Sequence, residues 1–472
     1  MTGQVSLADP PSIRRRGGHP KQDGFRLSGL CALALLSLLT ACDTKPVTRI
    51  DLGTTAQSLR ARSLTNERLD RFLATMGEGR HPAWNMRTLA LVALYERPNL
   101  PIANTNYFAA QAGVITALEI PNPKLSLNTA YNATDFIPNP WSIGPTVTFL
   151  IRNFFSTHAR VAAARQQVVA ARLAISSAAW VEWGDVYRTF SGLWAARQFL
   201  VLANDQERLA GEIYQATLER YNAGAASAMA LNLAELAMQK TAFAASTAVL
   251  NVRVARTALA SAVGLPVRAL KHVHLDFSMF HRPVHVGNLA LAERYALAHR
   301  PSVIAARAKY YAAQYQLKYE IDRIFPSFKI KPGYTYSQGV TGYALGANAH
   351  LPIFNQNQGP IALARARVER AAAEVAHAQD HVLTQIDHAK TYWYASRATL
   401  QSAQREVSSA RNQEAAAEQA YHAGLIGALR LLGAEQVAAA AEKNRLTAKA
   451  DERRAIGELE GALHQRLSGT ER

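Results

Sequence analysis

The sequence predicts a mixed α/β protein in which very long helices adjoin four short strands, arranged as two internal repeats. Residues 146–265 and 361–472 contain no proline, and their Ala, Arg, Gln and Leu residues recur with helical spacing. A Tyr-x-x-Gly turn interrupts each region, at Tyr221 and Tyr421, 200 residues apart. Four further segments alternate polar and apolar residues, which is typical of half-buried strands. A turn that recurs at a fixed offset within helical sequence indicates two structural repeats.

The composition suits long helices better than a thick globular core. The chain is 49% hydrophobic but only 8% aromatic, and alanine favours helices that pack closely. A net charge of +17 would suit nucleic acid, an anionic membrane surface or an anionic partner. Because the Arg and Lys residues are spread along the helices and are not clustered with aromatics, we expect solvated helix faces and no nucleic-acid partner.

The N-terminus predicts export. Basic residues precede an apolar run over 27–39 that is too short to span a bilayer, so residues 1–41 are interpreted as a signal peptide. The run ends in Leu39-Thr40-Ala41-Cys42, which resembles a bacterial lipobox and predicts lipidation of Cys42, which would anchor the chain in a membrane. The alternative is an ordinary cleaved signal with an incidental cysteine. Asp43 resembles the inner-membrane retention signal of enteric bacteria.

The first repeat is predicted over 84–265, after an N-terminal arm over 42–83 that shows no strong period. Helical pattern begins near Trp84 and is broken at Arg97-Pro98. Strands are expected at about 123–131 and 142–151. A helix of 69 residues, from Asn153 to Tyr221, and a returning helix that ends at Gly264-Leu265-Pro266 complete the repeat.

The second repeat is predicted over 298–468, after an inter-repeat segment over 266–297 that would wrap the helices at their waist. Its strands are expected at about 327–336 and 343–354, and a second long helical hairpin follows. Gly224 and Gly424 supply the positive φ that a tight helix reversal needs. We therefore expect both turns to be tips where one long helix ends and the next returns.

The four strands predict an oligomer. The first two are about 9–10 residues long, the length that a tilted strand needs to cross a bilayer, and the other two are at least as long. Four strands cannot close a barrel, and open strand edges in hydrocarbon cost several kcal/mol for each unpaired group. Three copies would instead share one twelve-stranded barrel, and the long helices would continue its wall away from the membrane.

From about Trp84 to Leu467 the chain resembles the TolC-like outer-membrane efflux proteins (outer membrane factors), many of which are lipoproteins. Arg300-Pro301, Phe325-Pro326-Ser327, Gly264-Leu265-Pro266, the two tips and the 200-residue duplication carry the resemblance. The resemblance implies a homotrimer in the bacterial outer membrane, with a long α-helical barrel in the periplasm. It also implies docking on a periplasmic adaptor that is served by an inner-membrane efflux transporter.

The resemblance assigns adaptor contact to the tips, at Arg220, Tyr221, Gly224, Ser227, Tyr421, Gly424, Leu425 and Ile426. The second tip departs from the family pattern, because Ala420 stands where a basic residue is frequent. The implied function is a passive exit channel of a tripartite pump, without enzymatic activity or a cofactor other than the lipid on Cys42. A structural coiled-coil surface lipoprotein is the rival class, and a soluble helical enzyme is a further rival.

The stretch over 351–361 is similar to the heavy-metal-efflux branch of the family, which would make metal cations the cargo. A structural loop shared across branches explains the same residues, so a type I secretion or multidrug exit duct remains the alternative. Glu414 and Glu418 lie one helical turn apart before the second tip. In a three-fold tunnel they would form stacked carboxylate rings that select cations; otherwise they face solvent or pair with Arg411.

Two histidine groups have spacings that could bind metal, although solvated surfaces explain both. They are His377, His381 and His388, and His272, His274, His281 and His285. We assign no metal site to either group. The sequence contains no Gly-rich phosphate loop after a strand, no nucleophile elbow and no zinc-protease motif. Energy for transport would therefore come from the partners.

Overall fold

The computed structural model describes residues 48–79, 83–133, 139–151, 154–284 and 286–467. The predicted signal peptide and Cys42 lie outside these ranges, and so does His285. The chain divides into two units, residues 1–58 and 59–472. In the described part of the first unit, Asp51 accepts a hydrogen bond of 2.9 Å from the amide of Gly53, at the start of helix α1 (Leu52–Ala61).

The second unit contains two halves with the same succession of helix pair, strand pair and long helical hairpin. After α2 (Glu67–Thr75), the first half comprises α3 (Met86–Glu96), α4 (Asn99–Leu118), β1 (Lys124–Tyr131), β2 (Trp141–Ile151), α5 (Phe154–Asn222) and α6 (Ala228–Val263). The second half comprises α7 (Leu289–His299), α8 (Pro301–Asp322), β3 (Phe328–Ser337), β4 (Val340–Ala349), α9 (Gln358–His422) and α10 (Ala428–Leu463). None of the helices in the described ranges combines the length and hydropathy of a membrane-spanning helix.

The four strands form one antiparallel sheet in the order β1-β2-β3-β4. The last strand differs from the predicted 343–354, because it begins at Val340 and ends at Ala349. Gln338 and Gly339 have φ angles of 53° and 83°. A two-residue turn with positive φ at both positions matches the twist of the flanking strands and lets the second strand start at once.

The sheet has one apolar face and one face of polar and small residues, as the strand register shows. The apolar face carries Leu125, Leu127, Tyr131, Trp141, Ile143, Val147, Phe149, Ile151, Phe328, Ile330, Tyr334, Tyr336, Tyr343 and Leu345. The opposite face carries Lys124, Ser126, Asn128, Ser142, Thr146, Thr148, Lys329, Lys331, Thr335, Ser337 and Asn348, with glycines and alanines between them. Only Leu150 and Val340 interrupt it with larger apolar side chains.

Three α-helices lie where the sequence predicted none, α1 and α2 in the N-terminal arm and α7 in the inter-repeat segment. In the predicted irregular arm, Asn66 caps α2, and Leu69 and Leu73 are buried in the main apolar cluster. Phe72 is partly buried against the same cluster, so this nine-residue helix turns apolar side chains at i, i+3 and i+4 to the core. Asn288 similarly caps α7, which begins inside the predicted inter-repeat segment because the Asn side chain accepts from two backbone amides.

The main core packs around the middle of α5. Trp194 stacks on Phe280 at 4.9 Å between ring centroids, and Phe190 lies 5.8 Å from the same ring. On the same face of α5, the Tyr187 ring lies 6.3 Å from Phe280, and its hydroxyl donates to the carbonyl of Arg453 in α10. A Cβ atom on Gly457 would lie only 2.2 Å from the Tyr187 ring. The missing side chain therefore permits the close approach of the two halves.

A buried ion pair joins α3 and α4 to α5 in the first half. The Arg97 guanidinium lies 2.5 Å from the fully buried carboxylate of Glu182 and 3.1 Å from Asp185. Asn99 donates a hydrogen bond of 2.6 Å to the other carboxylate oxygen, Oε1, of Glu182. The carboxylate thus has the partners that a buried charge requires.

The second half repeats this backbone geometry without the ion pair. Arg300 follows α7 as Arg97 follows α3, and each amide donates to the carbonyl four residues earlier. Arg300 is 92% buried, and its Nε and Nη1 atoms have no hydrogen-bond partner among the described residues. Burial lowers the pKa of Arg300. Burial also lowers the pKa of the nearby His464, and the positive charge of Arg300 lowers it further, to about 4.

These two arginine environments predict opposite mutational effects. Glu182→Ala leaves Asn99 without its acceptor and Arg97 with Asp185 as its one remaining carboxylate, so we expect it to lower the free energy of unfolding by about 2 kcal/mol. Arg300→Met removes a buried charge whose Nε and Nη1 atoms have no hydrogen-bond partner in the described ranges, so we expect unchanged or higher stability. The midpoint of thermal unfolding, followed by circular dichroism of the purified protein, measures both effects.

Glu374→Ala is the matched control, because the Glu374 carboxylate is exposed and pairs with the exposed Arg370 on the same helix. We expect less than about 0.5 kcal/mol from this change. A loss of stability in Arg300→Met as large as that in Glu182→Ala would contradict the proposed difference between the two arginines.

Candidate functional site

The first reversal, between α5 and α6, is closed by two nested backbone hydrogen bonds. The amide of Gly224 donates to the carbonyl of Tyr221 (2.9 Å), and the amide of Ala225 donates to the carbonyl of Arg220 (2.7 Å). Gly224 has a φ of 73°. This pattern is a Schellman motif, and it ends a helix by satisfying its last carbonyls. The hydroxyl of Ser227 then caps α6 by accepting from the amide of Ala230.

The second reversal, between α9 and α10, has the same geometry. The amide of Gly424 donates to Tyr421 (2.9 Å), and the amide of Leu425 donates to Ala420 (2.8 Å). Gly424 has a φ of 71°. Gly427 stands where the first reversal has its capping serine and makes no side-chain cap. The predicted tips are therefore both helix reversals, and they differ in the chemistry of their caps.

The predicted contact residues are presented at these reversals. Tyr221 and Tyr421 are each 41% exposed, and Leu425 is 77% exposed. Arg220 is exposed and directs its guanidinium towards the carbonyl of Ala225 at 3.4 Å. Ile426 is half-buried. The surface at each tip thus combines an exposed aromatic ring with small residues, and the first tip has Arg220 where the second has Ala420.

A groove of about 510 Å³ opens beside the first tip. Arg220 lies at its edge, and Leu429 and Gln436 of α10 contribute from the other hairpin. Its remaining lining is aliphatic except for one threonine: Ala210, Ile213, Thr217, Ala225, Ala226, Ala230, Leu233, Ala234 and Ala237. The groove is an apolar concavity bordered by one positive charge.

Glu414 and Glu418 belong to a group of carboxylates that three helices bring together near the tips. Burial raises the pKa of Glu435 in α10, and the carboxylates of Glu414, Glu212 and Glu418 raise it further. Arg208 opposes this effect, and it pairs with Glu212 at 2.6 Å. The group therefore holds more negative charge than its single arginine balances.

Arg411, the alternative partner expected for Glu414 and Glu418, instead lies 3.8 Å from Glu442. Glu414 is half-buried and Glu418 is exposed. The sequence offered Glu414 and Glu418, on the same helix, as partners for Arg411. Glu442 comes within reach of Arg411 because α10 packs against α9, which the sequence does not show.

The predicted histidine groups remain dispersed on the surface. His377, His381 and His388 are exposed, and the first two rings lie 6.3 Å apart. His272, His274 and His281 are also exposed. Within the part of the chain that the structure describes, no three His, Cys, Asp or Glu side chains are placed to hold one metal ion.

Sequence reasoning did not identify Glu212, Glu435 or the groove residues of α10. Glu435 carried a signal, since it stands 200 residues after Glu235, but that signal indicates duplication and not a charge cluster. Glu212 carried none, because its proximity to the others depends on how α5, α9 and α10 pack.

The sequence model described as "Outer membrane efflux protein" matches residues 90–265 and 294–463, well over half of the chain. Each of the two matched segments contains one helix reversal, at Gly224 in the first and at Gly424 in the second. No curated protein sequence matches the chain.

Several solved structures have a similar fold. The outer membrane protein VceC of Vibrio cholerae has a TM-score of 0.67 and 19% identity, over 81% of this chain and 96% of that one. The CmeC outer membrane channel of Campylobacter jejuni has a TM-score of 0.65 and 17% identity, over 91% and 94%. The MtrE outer membrane channel of Neisseria gonorrhoeae, in its open state, has a TM-score of 0.64 and 18% identity, over 81% and 89%.

The left-handed glycine at the second reversal predicts a local loss of order on substitution. Gly424→Ala places a Cβ at positive φ, which costs about 1–2 kcal/mol. We expect the amide of Leu425, which closes the reversal, to exchange up to about tenfold faster with deuterium. Gly427→Ser is the control, because its φ of −84° suits any residue and a serine there can cap α10 as Ser227 caps α6. Equal effects of the two changes would argue against the reversal as the cause.

The group of four glutamates near the tips predicts that the stability of the fold depends on pH. A carboxyl whose pKa is higher in the folded state binds its proton more tightly there, so the fold gains stability as pH falls through that pKa. We expect Glu435→Gln to raise the unfolding midpoint at pH 7 and to make no difference near pH 4. Glu235→Gln, the counterpart in α6, should give no gain at either pH. An equal gain from both variants would contradict the role of the carboxylate group.

Proposed function

Because the chain belongs to the outer membrane efflux protein family, we propose that it forms a passive duct through which cargo leaves the cell. One observation carries this proposal: a two-faced, four-stranded sheet with two open edges continues into two long helical hairpins. The chain would have no catalytic activity. Partner proteins would deliver cargo to the tips and supply the energy.

The faces of the sheet support its place in the outer membrane. Strands of 8–11 residues are long enough to cross the hydrocarbon when tilted. Membrane barrels turn an apolar face to lipid and a polar face to the lumen. The ring centroids of Tyr131 and Trp141 lie 5.1 Å apart at one end of the apolar face. Aromatic side chains at the end of a membrane strand typically lie at the level of the lipid headgroups.

The open edges support a homotrimer. β1 and β4 each have one unpaired side in the described sheet, and unpaired backbone groups cannot remain in hydrocarbon. Three copies of a four-stranded sheet would give a barrel of about twelve strands, within the range of known membrane barrels. Pairing β4 of one copy with β1 of the next would satisfy every edge.

A row of exposed apolar side chains on α6 supports the same assembly. Met229, Leu236, Phe243 and Leu250 recur every seven residues and are between 57% and 75% exposed. Heptad spacing is typical of a helix that packs against another helix over its length. We propose that this heptad row is the helical part of the contact between copies.

The tips would bind the periplasmic adaptor of a tripartite pump. The groove beside Arg220 and the exposed ring of Tyr221 provide an apolar contact bordered by a positive charge, and Tyr421 and Leu425 provide the second contact. Adaptor binding would favour an opened arrangement of the tip helices. The inner-membrane efflux transporter would then feed the duct.

Heavy-metal cations are one candidate cargo, on the sequence likeness of 351–361 and the carboxylates near the tips, where an acidic entrance would attract cations. Multidrug compounds or secreted proteins are the alternative cargo of the same architecture. The lipobox over 39–42 supports a lipid on Cys42 that would anchor each copy in the outer membrane. The helical hairpins would then extend into the periplasm.

Detergent-purified protein should be a trimer that forms discrete channels in a planar bilayer. We expect the double variant Leu236→Glu/Phe243→Glu to lose both the trimer and the channels, because six buried carboxylates would repel in the assembled contact. Light scattering gives the mass, and single-channel recording gives the conductance. Circular dichroism should show unchanged helix content.

Ala244→Glu is the matched control, since Ala244 is exposed on the same helix and lies about 100° around it from Phe243 and the heptad row. It should keep the trimer. A stable trimer without channels would indicate tips that are closed at rest, whereas a monomeric wild-type protein in mild detergent would contradict the shared barrel.

A further inference from the structure

The four strands carry three charged side chains, and all three are lysines on the same face of the sheet. The residues of β1, β2, β3 and β4 include no aspartate, glutamate, arginine or histidine. Lys124 pairs with Thr148, Lys329 pairs with Leu150 and Asn348, and Lys331 pairs with Gly346. By this register the three side chains lie on the polar face.

The lysines are also at the same end of the sheet. Lys124 begins β1, and Lys329 and Lys331 lie near the start of β3, so all three are close to the long helices. The register of β2 with β3 places Thr148 beside Lys331, in the row that also contains Lys124. With strands about 4.8 Å apart, the Cα atoms of Lys124 and Lys331 are about 10 Å apart.

None of the three lysines forms an ion pair within the described residues. The ion pairs of the second unit lie in the helices and their connections, and none includes a strand residue. Lys124 and Lys329 are exposed, and Lys331 is half-buried. Their charges are therefore available to whatever occupies the space on the polar face.

We infer that the strand-lined part of the duct is an anion-selective filter, with Lys124, Lys329 and Lys331 as its basic belt. The inference rests on the proposed trimer, in which three lysines from each of three copies give nine around one lumen. Rings of lysine in a pore attract anions and repel cations, and low-dielectric walls strengthen the effect. The strand-lined part of the duct would therefore favour a small anionic solute as cargo.

The charge along the proposed duct thus changes sign. The group of Glu212, Glu414, Glu418 and Glu435 makes the region near the tips acidic, whereas the lysine belt makes the strand-lined exit basic. A free metal cation would be drawn to the first region and repelled by the second. An anionic molecule would be repelled by the acidic region near the tips and attracted by the lysine belt at the exit.

Lysines near a membrane can instead extend to lipid headgroups, which would remove them from the lumen. The register argues against this arrangement. The residues that alternate with these lysines are Leu125, Phe328, Ile330 and Pro332, all on the opposite face. Lysines that faced lipid would require that apolar set to line the water-filled lumen.

Thiol modification of the intact protein in outer-membrane vesicles or liposomes tests the belt without requiring open tips. Thr148→Cys places a thiol between Lys124 and Lys331, and reaction rates are measured with an anionic and a cationic methanethiosulfonate. After correction for their rates with a free thiol in solution and for the parent chain, we expect the anionic reagent to react several-fold faster. Lys124→Gln/Lys329→Gln/Lys331→Gln in the same background should abolish this preference.

Two controls separate this inference from the duct itself. Leu127→Cys on the apolar face should react slowly with both reagents, and Lys271→Gln, outside the strands, should leave the preference unchanged. Equal or faster reaction of Thr148→Cys with the cationic reagent would overturn the anion filter and leave the duct standing. Fast reaction at Leu127→Cys with none at Thr148→Cys would invert the faces of the sheet and overturn the proposed barrel.

Discussion

The burial of α5 along its length is the constraint on which the helical part of the structure depends. At about 1.5 Å per residue this helix of 69 residues is about 100 Å long, and helical propensity alone does not hold a helix of that length in water. Its neighbours α4, α6, α8 and α10 cover successive parts of it. The contact of Tyr187 with Gly457 and Arg453 joins it to the second half. At this point the missing side chain of a glycine decides how closely the two halves pack.

The two halves share backbone geometry and differ in chemistry at corresponding places. Arg97 has two carboxylates, whereas Arg300 is buried without a hydrogen-bond partner at Nε and Nη1 among the described residues. Gly264 ends α6 with a φ of 79°, and His464 ends α10 in the same left-handed region with a φ of 50°. Such pairs indicate that the backbone arrangement depends mainly on helix packing and turn geometry, because it persists where the polar contacts have changed.

The charges that matter for the proposed duct are set by different levels of structure. The lysine belt follows from strand register, since alternation alone places Lys124, Lys329 and Lys331 on one face. The carboxylate group near the tips follows from helix packing, because Glu212, Glu414 and Glu435 come from three helices. A duct built from both would present cargo with one sign of charge at its entrance and the other at its exit.

The sequence by itself determined the features that repeat locally. The long helices follow from proline-free helical periodicity, the reversals from Tyr-x-x-Gly, and the strands from alternation, which also fixes the two faces of the sheet. Tertiary structure decided the rest. It buried Leu69 and Leu73 in the core and ended β4 at Ala349. It also brought Glu435 close to Glu414 and paired Arg411 with Glu442. The physical reason is distance along the chain. A period of two or 3.6 residues is written in neighbouring positions, whereas burial and charge pairing between helices depend on residues far apart in sequence that only packing brings together.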